Sequence, residues 1–211
     1  ANHVPPYGGS DLLLGTNPIA FSAPAAGPDP FVFDMATTVA AMGKIKTLLQ
    51  QGKPMPEGWM VGRDGNPLTD PARKSEGFLL PIGGPKGYGL SVAIGLMAGV
   101  LNGAAFGSNV VDFTKDTTSP TNTGQFVVAL DPAAFGMGDG FAQAAAGVFD
   151  EMRASDPLPG HDPVRLPGDG KTAAAEARRR NGIPLNPALR RDLNALAADC
   201  GLAPPFSEDA A

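Results

Sequence analysis

The stretch PIGGPKGYGL at residues 81–90 sets one lysine, Lys86, among four glycines and runs straight into an apolar segment. Glycine lets a backbone adopt torsions that other residues avoid and approach a bound group closely, at a cost in conformational entropy. A turn this bare, opening a helix, suits an anion: the helix dipole and the lysine ammonium act in the same direction. The alternative is a glycine-rich turn whose lysine points into water, and composition alone leaves both readings open. The segment after the loop fixes the architecture more firmly. Residues 88–104 are apolar on nearly every side, which predicts a helix surrounded by protein, with Gly95 and Gly99 as a smooth face for close packing.

Working outward, the elements alternate. Residues 19–22, in NPIAFSAP (residues 17–24), predict a short strand bounded by prolines. PFVFDMATT (residues 30–38) predicts a strand, then Asp34, then a helix capped by threonines, with Val39, Met42, Ile45 and Leu49 at near-helical spacing and Gly52 as its stop. The Asp64-Gly65 pair marks a tight turn in a surface excursion that tucks Trp59 inward. GQFVVALDP (residues 124–132) reads as a central strand, residues 141–153 as a helix, 156–170 as a proline-studded connector, and 172–182 and 187–201 as two terminal helices. Strands and helices interleave without an internal repeat, so the expected class is α/β (mixed α+β), in a cofactor-binding unit over residues 1–150 and a connector with helices over 151–211 that packs back on it.

Composition narrows the function. The chain has 211 residues, 43% hydrophobic and 18% charged, enough for the core of one domain or a large piece of a bigger subunit. Its net charge of −5 disfavours broad nucleic-acid binding, which needs a positive face. The longest apolar run is well short of the ~18 residues of a bilayer span. A single cysteine, Cys200, excludes an internal disulfide framework and points to a reducing, cytoplasmic setting. The opening ANHVPPYGG, turn-rich from the start and without an initiator methionine, is expected to belong to a longer chain.

Three further stretches could carry chemistry. GDGKT (residues 168–172) ends like a phosphate-binding P-loop but has Arg165 where the first glycine belongs. It also fits Gly-x-Gly-x-x-Ala, yet Pro167 interrupts the strand that a Rossmann turn needs. Arg178, Arg179 and Arg180 follow on a helix; they form either a solvated face or a phosphate contact. Asp34, with Met35 and Ala36, stands at the carboxyl end of a strand, where open sheets place ligands, or else it supports the first turn of the next helix. LGTNP (residues 14–18) offers Thr16 and Asn17 in a fixed turn. His3 and His161 lie in proline-flanked coil without the neighbours of a triad or a metal site, so no metal is expected.

Taken in order, PPYGG, LGTNPIAF, DMATT followed by GKI, PEGW, GGPKGYGL, AGVLNGAAFG and RLPGDG with RRRNGIPL resemble the malate/L-lactate dehydrogenase-like oxidoreductases, the group that includes ureidoglycolate, sulfolactate and piperideine-2-carboxylate enzymes. The resemblance runs along nearly the whole chain. It implies a non-Rossmann nicotinamide-binding sheet flanked by helices, part of a larger homodimeric subunit, and hydride transfer between NAD or NADP and a 2-oxo or 2-hydroxy acid. By the same resemblance Thr16 lies near the substrate carboxylate. Asp34, Met35 and Ala36 line the cofactor, Lys86 and Gly87 meet the dinucleotide, and Gly168, Asp169 and Arg178 sit toward its adenosine end.

The departures from the family pattern matter as well. The family's proton-exchanging histidine and carboxylate-pairing arginine lie upstream of the residues present, so catalytic residues stay unassigned here. Lys44 stands about where some relatives carry an acidic relay residue, a part a lysine cannot play unchanged. Two other readings are a non-catalytic nucleotide-binding remnant or interaction protein, and an enzyme in which Lys86 forms a Schiff base.

Overall fold

Prolines 18, 24 and 30 punctuate the first regular structure. In the computed structural model, which describes residues 1–27 and 29–207, β1 (Ile19–Ala23) pairs antiparallel with β2 (Phe31–Met35), Ile19 opposite Met35 and Ala23 opposite Phe31. The predicted strand at residues 19–22 is therefore present, and Asp34 lies inside β2 near its carboxyl end. The last four residues of the expected 151–211 unit lie outside the described residues.

Helix α1 (Met42–Gln50) begins later than a threonine cap would place it. Its first turn follows Ala41, which offers no side-chain cap. The two threonines are engaged elsewhere: the Thr37 hydroxyl donates to the Thr16 carbonyl at 3.0 Å and the Thr38 hydroxyl to the Ala40 carbonyl at 2.8 Å. The helix ends as read, with Gly52 at φ 63° and its amide on the Leu49 carbonyl.

Strands β3 (Met60–Gly62) and β4 (Gly77–Leu79) form a second antiparallel pair. The Asp64-Gly65 turn leaves β3: the Gly65 amide donates to the Gly62 carbonyl, and the Asp64 carboxylate receives both the amide and the side-chain NH2 of Asn66. Val4, Leu14, Ile45, Met55, Met60, Leu68 and Leu79 make the core, with Trp59, Tyr88, Val92 and Phe106 packed against it. Both ladders are antiparallel, so the described residues are mixed α and β with small sheets.

Helix α2 (Pro85–Ala98) starts with proline in its first turn, where the missing N–H costs nothing. A Cβ at Gly87 would collide with the Ile82 carbonyl, and one at Gly95 with the Phe106 ring. These glycines are packing requirements, as Gly95 was expected to be. The helix is shorter and barer than its composition predicts. It stops at Ala98, and Leu96, Met97, Val100 and Leu101 are exposed, because nothing among the described residues covers that face.

The predicted central strand at residues 124–132 does not form. Gly124 packs against the Ala98 carbonyl, but Phe126, Val127, Val128 and Leu130 are exposed and the segment has no regular secondary structure. A strand exists only through a ladder partner, and none of the described residues pairs with it. Beyond it, α3 (Gly140–Arg153), the 156–170 connector, α4 (Lys171–Asn181) and α5 (Pro187–Asp199) match their expected positions closely. Phe31 stacks on Phe149 at 5.5 Å, and the Val32 amide donates to the Pro167 carbonyl, fastening α3 and the connector to the β1–β2 hairpin.

Candidate functional site

Backbone hydrogen bonds draw three of the sequence candidates together. The Thr37 amide donates to the Thr16 carbonyl at 2.9 Å, and the Ile82 amide to the Thr37 carbonyl at 3.0 Å. The Val39 amide reaches the Leu80 carbonyl at 2.9 Å, and the Asn17 side-chain NH2 donates to the Ser91 carbonyl on α2 at 2.8 Å. The turn bearing Thr16, the end of β2 with Asp34, Met35 and Ala36, and the glycine-lysine loop thus form one fixed assembly. Asn17 holds its turn at φ 31°, a torsion that short polar side chains tolerate.

Within the loop, Gly83 and Gly84 have φ of 57° and 61°, and a Cβ at Gly83 would meet nothing within 4 Å. The backbone therefore needs glycine there for torsion and leaves open space beside it. Lys86 is exposed, and its ammonium makes no ion pair or hydrogen bond among the described residues. The same holds for the exposed Asp34 carboxylate. Lys86 touches neither Asp34 nor Asp169 through its side chain; what joins these segments is main chain.

The fourth candidate stretch packs on the other end of β2. Gly168 is buried, and a Cβ there would stand 2.5 Å from the Pro30 carbonyl oxygen and 3.0 Å from the Val32 amide. Val32 and Met35 are three residues apart, roughly 10 Å at strand rise. Gly168 and the Asp34–Ala36 group therefore border one strand, which continues through Thr37 to the lysine loop. Asp169 is already committed: its carboxylate receives Arg153 through Nη2 at 2.7 Å and Nε at 3.1 Å, and the Leu166 amide at 2.9 Å. The Arg153 hydrogen bonds hold this carboxyl down at about 2.

A cleft of about 250 Å³ opens here between Asp29, Val32, Gly168, Lys171, Thr172 and Arg179. Of the three consecutive arginines, all exposed, Arg179 lines it and Arg178 does not. Sequence reading gave no role to Asp29. Its carboxylate accepts the Gly170 amide at 3.3 Å and the Thr172 amide at 3.2 Å, capping α4 from 143 residues away; the Thr172 hydroxyl first, and then these amides, lower its pKa. No local signal could announce a cap supplied from so far along the chain. Ser91 was also passed over; it is buried on α2, and its Oγ has no hydrogen-bond partner among the described residues.

Comparison with known proteins identifies the architecture. The model for malate/L-lactate dehydrogenase matches residues 1–194, and the chain belongs to that family. It is 42% identical over 194 residues to a Delta(1)-pyrroline-2-carboxylate reductase of Ancylobacter novellus, covering 92% of this chain and 55% of the relative. It is 37% identical over 182 residues to the ureidoglycolate dehydrogenase (NAD(+)) of Escherichia coli K12, covering 86% and 52%. A solved dehydrogenase from Sinorhizobium meliloti superposes with a TM-score of 0.78 at 42% identity, over 92% of this chain and 56% of that one. The names of relatives include NAD(+) and NADP(+). The chain spans about half the length of the curated relatives it matches.

Proposed function

We propose that this chain is the cofactor-binding portion of an NAD- or NADP-dependent oxidoreductase that moves hydride between the nicotinamide and a 2-oxo or 2-hydroxy acid. The observation that carries this reading is the track along β2. At one end lies the Gly168 cleft with Arg179, in the middle the free carboxylate of Asp34, and at the other end the lysine loop hydrogen-bonded to Thr37. These residues fit an extended dinucleotide: glycine-bare backbone and a free ammonium for its phosphates, a carboxylate for a ribose hydroxyl, and a second cation farther along. Such a surface needs no doubly wound parallel sheet, so we retain the non-Rossmann description as part of the proposal.

When bound, the nicotinamide gives or takes the hydride. The chain's own residues bind and orient. Lys86 and the loop amides neutralise phosphate charge, Asp34 with Met35 and Ala36 fixes the ribose side, and Gly168 lets the cofactor lie against β2. Asp169 acts through Arg153, holding the loop in place, while Arg179 or Arg178 meets the adenosine end, in NADP its extra phosphate. Thr16 stands toward the substrate carboxylate. The acid–base group for the substrate oxygen belongs to residues beyond those present. We therefore expect the 211-residue chain by itself to show no NAD(P)H turnover with pyruvate, oxaloacetate or glyoxylate. A cytoplasmic homodimer with residues 1–150 as its cofactor unit completes the proposal.

Titration of NADH and NADPH by nicotinamide fluorescence tests the binding claim. Saturable enhancement is expected, weakened about tenfold or more by Lys86→Ala, since a hydrogen bond to a charged group is lost. An unsaturable signal, or unchanged affinity in Lys86→Ala, would overturn it.

A further inference from the structure

A second, larger cavity borders the lysine loop, at the end of the β2 track away from Gly168. It is a groove of about 650 Å³ between the 5–10 loop, the β3 turn and the 81–84 loop, a size typical of small-molecule sites. Its walls include Gly8, Ser10, Gly83 and Gly84, with Phe78 and Arg63 on the β3–β4 side. Arg63 lies over the Phe78 ring, its Cζ 5.0 Å from the centroid. That stacking restrains a side chain that is otherwise flexible and leaves the guanidinium's in-plane donors unused.

The carboxylates that could neutralise Arg63 are engaged elsewhere. Glu76, whose carbonyl accepts the Arg63 amide, binds Arg73 through its carboxylate at 2.6 and 2.9 Å. Asp64 binds Asn66. No side-chain hydrogen bond or ion pair of Arg63 exists among the described residues. The backbone amide of Gly8, on the facing 5–10 loop, likewise has no acceptor there. A chain with net charge −5 thus keeps an unpaired, oriented fork of donors beside a largely apolar groove.

We infer that this groove is a carboxylate-binding site anchored by Arg63, taking a small organic acid whose apolar body rests against Val39 and Leu80. A planar carboxylate matches the guanidinium fork, which Phe78 holds in place from beneath. The site borders the lysine loop through Gly83 and Gly84, but its anchor is Arg63 and its occupant needs no cofactor.

The test uses Trp59, the only tryptophan in the chain and the neighbour of the groove residue Gly58. Hexanoate, hexanamide and inorganic phosphate are titrated against its fluorescence. Hexanoate should saturate, with hexanamide and phosphate about tenfold weaker or more, because each lacks one half of the match. Arg63→Gln, which keeps the stem on Phe78, should weaken hexanoate about tenfold, while Arg191→Gln on α5 stays within about twofold. Circular dichroism confirms that both variants fold. Unchanged hexanoate affinity in Arg63→Gln, or equal binding of hexanamide or phosphate, would overturn the inference. Saturable, Arg63-dependent hexanoate binding supports it whether or not the chain binds NADPH.

Discussion

The two halves of this chain are built from similar residues and differ in what those residues bury. Up to Gly99, apolar side chains from α1, α2 and the β3–β4 ladder converge, and Ile45, Leu79 and Val4 are 0–1% exposed. After Gly99 the only buried residue among those described is Gly168, although Phe126, Val127, Leu130 and Phe135 are as apolar as anything in the core. Burial is a property of partners. The second half is held by a few directional contacts: Phe149 on Phe31, Pro167 on Val32, and Arg153 on Asp169. This chain covers 55% of the Delta(1)-pyrroline-2-carboxylate reductase it matches, so that relative has further residues with no counterpart here.

Substitutions should separate the halves by size of effect. Ile45→Ala, at a fully buried position, should cost about 2–5 kcal/mol in urea unfolding, the transfer term plus the cavity. Gly87→Ala should cost about 1–3 kcal/mol, since the clash is with the Ile82 carbonyl rather than a mobile side chain. A smaller loss than a surface change gives would show that the start of α2 can shift.

Asp169→Asn should lower the urea midpoint modestly and speed hydrogen exchange most in residues 166–172, because the carboxylate's bonds tie down the connector. Acid should do the same. The Asp169 carboxyl is held at about 2, below the ordinary carboxylate range, so its ion pair is intact above pH ~4 and is lost as pH falls through ~2. The Arg153 Nε–H resonance, followed by NMR from pH 5 to 1.5, should move with that lower midpoint; titration near 4 would mean the pair does not form. The smallest effect belongs to Val127→Thr, 85% exposed, which should change stability by no more than about 0.5 kcal/mol. A larger loss would reveal a burial partner for residues 124–130.

The same contrast explains what could be read from sequence. Helices α3, α4 and α5 and the β1 strand were legible because periodicity, prolines and glycines act locally. The start of α1 was misplaced because Thr37 and Thr38 spend their hydroxyls on Thr16 and Ala40. Residues 124–130 carry a strand pattern, yet pairing depends on an edge the pattern cannot supply. The three candidate segments were legible one by one, but their joining through Thr37 was not, and neither was the Asp29 cap on α4. Arg63 went unnoticed for the same reason: its place on Phe78 is set by the β3–β4 register.

Hydrogen exchange measured with and without saturating NADPH addresses the β2 track as a whole. If the dinucleotide lies along it, protection should rise together in residues 34–38, 82–88 and 166–172 and stay unchanged in α5. Protection confined to one of these segments, or absent from all three, would contradict a continuous cofactor surface.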